Sequence, residues 1–542
     1  MNNNTNSRNP LTWLPLILAA TFLAGMWAGG SFFASDSPRS RAYNKLNDIL
    51  HIVEGEYVDK IDVDSLLEQS IPDILAHLDP HSTYIPASDL QAVNDELGGS
   101  FSGIGVSFSL INDTITVLDV ISGGPSEKVG LLPGDRIVSI NDSLSTGKAW
   151  NNEKVMTTLR GKKGSKVKLG IKRTTAKDVL TFTVTRGDIP VTSIDAAYLA
   201  NPTTGYIRVN KFGANTYSEF LQALVSLREK GAKGYVIDLR ENGGGFMEPA
   251  ILMANEFLDE GRLIVSTRGR LMQNNSDTYA DGTGGFKDAA VAVLIDEFSA
   301  SASEIFAGAI QDNDRGMVVG RRSFGKGLVQ NQTMLPDSSA IRLTVARYYT
   351  PSGRCIQKRY SDGDINAYNN DIVERINHGE LYSADSIKLD KSLIFKTVGG
   401  RSVYGGGGIM PDIFVANDTS GVTSYYLNVA NAGLLNRFAF EYADRHRSEL
   451  RGSKDVHDLV GRLPDEDFLL QEFVNFAADN NIPARWYYIN ISRNLIVNQL
   501  RALIARDILN QSAYFEYINR SDVALKNAIE QLKKNPFKSA SK

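Results

Sequence analysis

Two uninterrupted apolar runs, GYVIDLR at 234–240 and VAVLID at 291–296, constrain the fold of this chain more than any other feature. Strands of this buried type need cover on both faces, which a parallel sheet flanked by helices supplies. Around them, GYIRVN (205–210), helical patterns over 218–229 and 249–258, and a helical run that starts near Ser303 alternate strand with helix. The alternation predicts an α/β core with a partly parallel sheet.

Upstream the period changes. Residues 36–98 carry helical apolar spacing (Leu46, Ile49, Ile52, Val53; Leu66, Leu67, Ile71, Ile74, Leu75) and close at LDPHSTYIP, where Pro80 and Pro86 break any helix. From Phe101 the period is two: GIGVSFSL, TITVLDVI, RIVSIN, KVKLGIKR and TFTVTR read as short strands between Gly, Asn-Asp and Pro-Gly turns. With helical candidates in SEKVG and NNEKVMTTLR, residues 99–188 predict a compact β-rich unit inserted before the core. The core then covers 189–418, and 419–542 reads as a polar, mostly helical extension with a frayed basic tail from Lys533.

Residues 11–33 carry no charge and follow a polar tail containing Arg8. At 1.5 Å per residue that length suits a bilayer span. Residues 1–35 are therefore expected to be a cytoplasmic tail and an uncleaved signal-anchor, with the body exported; cleavage after the small residues 28–35 is the alternative. The net charge of −4 gives no reason to expect nucleic acid as partner, and the single cysteine, Cys355, excludes an intrachain disulfide or a cysteine metal cluster. The six histidines show no metal-ligand spacing, so neither metal nor cofactor is expected.

Three stretches could carry chemistry. In FSASASEIFAGAIQDN (298–313), Ser299, Ser301 and Ser303 lie at a strand-to-helix turn, where N–H groups of the helix start can hold a developing oxyanion. Taken alone, such a run is more often a helix cap, with Glu304 suited to the first turn. In RRSFGKGLVQ (321–330), Lys326 lies between two glycines, and a strand there would put Lys326, Leu328 and Gln330 on one face, as a base and the group that orients it. A solvated loop lysine is the plainer alternative. In DLRENGGGFMEP (238–249), three glycines after a buried strand permit close backbone approach, as an oxyanion cradle or as a plain turn.

Two further matches fail. Gly320–Lys326 fits the GxxxxGK of a phosphate loop, but Gly327 stands where its Mg²⁺-holding hydroxyl belongs. Ser323–Lys326 fits S-x-x-K without the helical turn or the companion motifs of penicillin-binding proteins.

Together these stretches resemble the carboxyl-terminal processing peptidases (tail-specific proteases, serine peptidase family S41). RLTVARYYTPSGRCIQ (342–357), GGGGIMPDIFV (405–415) and LDPHSTYI (78–85) share the resemblance, which covers roughly residues 40–418. It implies a ClpP/crotonase-like α/β protease core and a serine endopeptidase that hydrolyses peptide bonds through a Ser-Lys acyl-enzyme. The middle serine of SASAS is the family's nucleophile and the lysine of FGKG its base, which falls on Ser301 and Lys326, with Gln330 as the supporting amide. The implied oxyanion donors are the N–H of Ala302 and a glycine of ENGGG, taken as Gly244; Gly243 stands where many relatives carry proline.

Residues 99–188 resemble a PDZ domain, with Gly103, Ile104, Gly105 and Val106 in its carboxylate-binding loop. Such a nest holds a terminal carboxylate while an edge strand and an apolar pocket bind the residues before it. Arg160 matches a family arginine linked to coupling between peptide binding and the active site. The resemblance thus implies exported substrates with free apolar C-termini, a body in the periplasm of a bacterium held at the inner membrane, and contacts to further copies or to an adaptor through the terminal helical parts. A PDZ scaffold without catalysis is the competing class, and the joint presence of Ser301, Lys326 and Gln330 argues against it.

Overall fold

The computed structural model describes residues 14–33, 38–121, 123–173, 176–360 and 365–534. The chain divides into two compact units, residues 1–75 and 76–542. The first contains helices Leu14–Phe33 and Pro38–Glu56 and nearly all of Val63–Ala76. The expected span over 11–33 begins on residues outside the described set, and among the described residues no helix is long and apolar enough to cross a membrane.

In the second unit, a six-stranded sheet runs in the order Ile194–Asn201, Thr204–Val209, Gly234–Asp238, Ala290–Ile295, Met317–Gly320, Ile413–Phe414. Only its first pair is antiparallel. Both faces are covered, which is why its strands are apolar throughout. Ile207, Tyr235, Ile237, Val291, Val293 and Ile295 pack under helices Thr216–Glu229, Met247–Asn255 and Ala302–Asp312. The alternate residues Tyr206, Val236, Ala292, Leu294 and Val319 pack against Ala524, Leu525 and Ala528. Those three belong to helix Val523–Lys534, at the far end of the chain. The helical extension therefore supplies one layer of the α/β core, a role that its polar sequence did not announce.

A second sheet is antiparallel and holds Thr83–Ile85, Leu263–Gly269, Ser276–Tyr279, Leu328–Met334 and Ala340–Tyr349. Its first strand lies inside LDPHSTYIP, between the two prolines, and pairs with Ala340–Arg342.

The strands read between residues 101 and 185 form the inserted unit, with Val106–Ile111, Thr114–Val120, Arg136–Ile140, Lys166–Lys172 and Leu180–Thr185 in the order written. Asn112-Asp113 and Asn141-Asp142 each hold positive φ at both residues, the backbone that a tight two-residue hairpin demands. Among the described residues, strand Val106–Ile111 pairs only with Thr114–Val120 and so ends its sheet with one edge unpaired. Ser100–Gly103 and Gly187–Pro190 pair as a two-stranded neck that returns the chain to the core.

Candidate active site

The site assembles where three turns leave the sheets. At the first, Asn242 follows strand Gly234–Asp238 and ties the glycine loop to its neighbours. Its Nδ2 donates to Val209 O (2.8 Å), and its main-chain O accepts from Ala300 N (3.0 Å) and Ser303 Oγ (2.8 Å). Its Oδ1 accepts from Gly244 N–H at 2.9 Å. This is an Asx turn, the local reason for asparagine before the glycines. The Gly244 N–H is thus engaged within the loop in this structure and is not the free donor that was expected. Gly244 serves by allowing approach: at φ +99°, an added Cβ would lie 2.7 Å from Ala300 O, 2.7 Å from Ser301 Cβ and 3.0 Å from Ala302 N.

The second turn carries the serines. Ser299 and Ser303 are fully buried. Ser299 Oγ donates to Leu239 O (2.8 Å), and Ser303 Oγ to Asn242 O, so both hydroxyls serve the turn. Ser301 is partly exposed and holds φ +56°, ψ −115°, a backbone that non-glycine residues rarely adopt. Helix Ala302–Asp312 starts immediately after it, so Ala302 N–H is a first-turn donor with no partner inside the helix.

The third turn carries Lys326. It leads from strand Met317–Gly320 into a strand, not a helix, so the phosphate-loop match has no helix start to hold phosphate. Ser323, of the S-x-x-K match, is fully buried and donates to Glu304 Oε1. Lys326 Nζ donates to Gln330 Oε1 at 3.0 Å, and Gln330 Nε2 donates to the main-chain O of His81. The lysine and its amide therefore meet, although Lys326 precedes strand Leu328–Met334 and a register shift falls between Val329 and Gln330, so the contact comes from the turn and not from strand alternation. Burial, then the charge of Arg342, lowers the Lys326 pKa, with Glu304 and Asp79 opposing.

Ser301, Ala302, Lys326, Gln330 and Gly243–Gly245 line one cleft of about 730 Å³, whose other walls include Val93, Leu97, Phe246, Met247, Ile305 and Leu328. Several organising residues were not singled out from the sequence. The Tyr348 hydroxyl donates to Lys326 O (2.7 Å) and reaches Ser301 O (3.1 Å), so it touches both turns. Asp79 shapes the loop that presents His81 O by accepting from His81 N and from Ser82 N and Oγ. The His81 ring meets the Tyr368 hydroxyl at 2.7 Å; burial, then the Lys326 charge, lowers its pKa to about 4.

The residues expected to hold a peptide terminus are not part of this cleft. Gly105 has the positive φ (+77°) of the carboxylate-binding loop, with buried Ile104 before it and Val106 opening the edge strand. Gly103 instead belongs to the two-stranded neck, paired with Gly187. Arg160 ends helix Asn152–Leu159, and its guanidinium lies 4.4 Å over the Phe101 ring. It lines a smaller cavity with Val93 and Lys211, two residues that also line the Ser301 cleft. The structure thus sets Arg160 beside the wall shared by the two cavities.

The structure combines an α/β core, whose turns bring Ser301, Lys326 and Gln330 to one cleft, with an inserted β-rich unit. Residues 203–367 match the model of peptidase family S41, 102–186 that of the PDZ domain, and 425–510 that of a family of unknown function. The carboxy-terminal processing protease CtpB of Bacillus subtilis is 33% identical over 364 residues, covering 66% of this chain and 73% of its own. A carboxy-terminal-processing protease of Bartonella bacilliformis is 36% identical over 349 residues, covering 62% and 79%. A solved photosystem II D1 C-terminal processing protease aligns at 26% identity and a TM-score of 0.33 over 68% of this chain and 92% of that one. On the two sequence relatives, the chain belongs to the carboxy-terminal processing proteases of peptidase family S41.

Proposed function

We propose that the protein hydrolyses peptide bonds through a Ser301–Lys326 dyad. Neutral Lys326 takes the proton of Ser301 Oγ as that oxygen attacks the scissile carbonyl carbon, and the resulting ammonium returns the proton to the leaving amine. Water then attacks the acyl-enzyme by the same route in reverse. Gln330 holds the amine through its Oε1. Ala302 N–H gives the developing oxyanion a donor, and Gly244 lets the glycine loop approach it closely. The observation that carries the reading is the sorting of the three serines: two hydroxyls are consumed by the turn, and the third shares a cleft with a desolvated lysine.

The substrate reading follows from the PDZ insert. Exported proteins are captured by a free apolar C-terminus at Gly105 and the edge strand from Val106. From there the chain reaches the cleft past Arg160 and Lys211. From the uncharged run at 11–33 we further infer that the body lies on the periplasmic side of a bacterial inner membrane, or in the periplasm after cleavage, and that further copies or an adaptor dock on the terminal helices. No cofactor enters this chemistry.

Intact-mass analysis after a fluorophosphonate probe tests the nucleophile. One adduct on wild type, mapped to Ser301 and lost in Ser301→Ala, is the expected result. An adduct retained in Ser301→Ala refutes the assignment.

A further inference from the structure

Glu304 lies three residues after Ser301, in the first turn of helix Ala302–Asp312, and is fully buried. An acid there would ordinarily complement the helix dipole from the surface. Here its two oxygens are shared between both halves of the site. Oε2 accepts from Ser301 N (2.8 Å) and Lys326 N (2.9 Å). Oε1 accepts from Ser323 Oγ (2.5 Å) and Gly325 N (2.8 Å). Ser323 Oγ itself accepts from Ile409 N at 2.6 Å, so its proton is directed to the carboxylate. Every partner is a donor, and the cradle therefore suits an ionised carboxylate and no neutral isostere.

We propose that Glu304 is a positioning residue of the peptidase reaction: its carboxylate fastens the main chain of Ser301 and of Lys326 to one rigid group and so sets the reach between hydroxyl and amine. The proposal rests on the Ser301–Lys326 reading above. Glutamine cannot replace the group. Whichever way the amide turns, its NH₂ faces a backbone N–H, either Gly325 on one side or Ser301 and Lys326 on the other. The two turns must then part.

Charge adds a signature that simple packing would not give. Burial pushes the Glu304 pKa up to about 7, against the hydrogen bonds from Ser323, Lys326, Gly325 and Ser301. Lys326 from its own turn, Lys358, Tyr348 from strand Ala340–Tyr349 and Tyr368 from helix Ile365–Asn377 all feel the carboxylate. Arg375 donates to the carbonyls of Ser323 and Arg322 and pairs, as Arg322 does, with Glu380. Among these, Glu304 and Lys326 must both lose a proton for the site to work. Wild-type acylation should therefore fall with two protons as pH decreases, one of them taken up by Glu304 near pH 7. Removing the negative charge also removes an influence that holds the Lys326 pKa up.

The test follows fluorophosphonate acylation of the full chain against pH, separating the maximal rate from probe affinity. Glu304→Gln should lose about 100-fold in rate with affinity within about threefold, the scale of a 1 Å misplacement. Its acid limb should fall with one proton and lie at lower pH. Glu304→Asp, which keeps the charge, should recover part of the rate and the two-proton limb. If Glu304→Gln does not fold, Ser323→Ala removes one donor alone, and its acid limb should move to higher pH. A Glu304→Gln rate within threefold of wild type, an unaltered two-proton limb, or an unmoved limb in Ser323→Ala overturns the proposal. Ser301→Ala and Lys326→Ala run alongside: if either still acylates, the dyad reading has failed, whereas two inert variants beside a normal Glu304→Gln refute the positioning role alone.

Discussion

Gly244→Ala places a single methyl group where the glycine loop meets the serine turn. The new Cβ would stand 2.7 Å from Ala300 O and from Ser301 Cβ, and 3.0 Å from Ala302 N, all on the segment that carries the proposed nucleophile. Relief requires the loop and the turn to separate by roughly 0.5–1 Å, since ordinary contacts there lie at about 3.5 Å. Alanine at φ +99° adds strain on the order of 1–3 kcal/mol, and overpacking adds about 1–3 kcal/mol if nothing moves. A separation near 1 Å at the reacting atoms costs about 100-fold in rate, and loss of an oxyanion contact costs about 100- to 1,000-fold. Gly243→Ala is the matched control, because its Cβ meets nothing within 4 Å and its φ is not positive. Stopped-flow acylation by an activated ester, with thermal melting beside it, should show Gly244→Ala folded and slowed by at least about 100-fold. Gly243→Ala should stay within about threefold of wild type. Equal rates for Gly244→Ala and wild type would refute the claim that close approach of these two turns is what the site requires.

Two other expectations concern the insert and the loop that holds Gln330. Amidating the C-terminus of an apolar model peptide should weaken its binding by on the order of 1–3 kcal/mol, the value of a charge-assisted hydrogen bond, and calorimetry showing equal affinities for acid and amide would contradict the PDZ reading. His81 has a folded pKa of about 4 against an ordinary 6.5, so its contribution to stability is complete above pH 6.5 and is lost as pH falls through 4. The 2.5-unit difference corresponds to about 3 kcal/mol. His81→Asn keeps the main-chain O for Gln330, and its urea midpoint should fall less between pH 7 and pH 4 than that of wild type; parallel losses would show that the ring does not set the acid limit.

Much of this fold was legible because its signals are local. The period-two strands and Asn-Asp turns of 101–185 recur in the structure, and the apolar runs at 234–240 and 291–296 lie in a sheet covered on both faces. Lys326 and Gln330 were readable because they lie four residues apart, although the turn before strand Leu328–Met334, and not strand alternation, brings them together. What escaped depends on distant partners. Thr83–Ile85 is too short to show a period and becomes a strand only by pairing with residues about 260 positions later. Glu304 looked like an ordinary first-turn acid, because three of its four donors lie on a turn 19 to 22 residues away. Tyr348 likewise shows its role only when strand Ala340–Tyr349 brings it under both turns. The polar extension concealed the helix that closes the sheet, since only Ala524, Leu525 and Ala528 of that helix are buried, too few to stand out from their polar neighbours.

The central claim is that Lys326, and no histidine, takes the proton of Ser301. It is tested most directly by the pH dependence of Ser301 acylation in wild type and in Lys326→Arg. Arginine keeps the positive charge but offers no neutral form. Wild type should acylate faster as pH rises until Lys326 is neutral. Lys326→Arg, folded and still able to bind peptide through its PDZ domain, should show no acylation at any pH at which the protein remains folded. A Lys326→Arg enzyme that acylates within tenfold of wild type would show that the proton goes elsewhere.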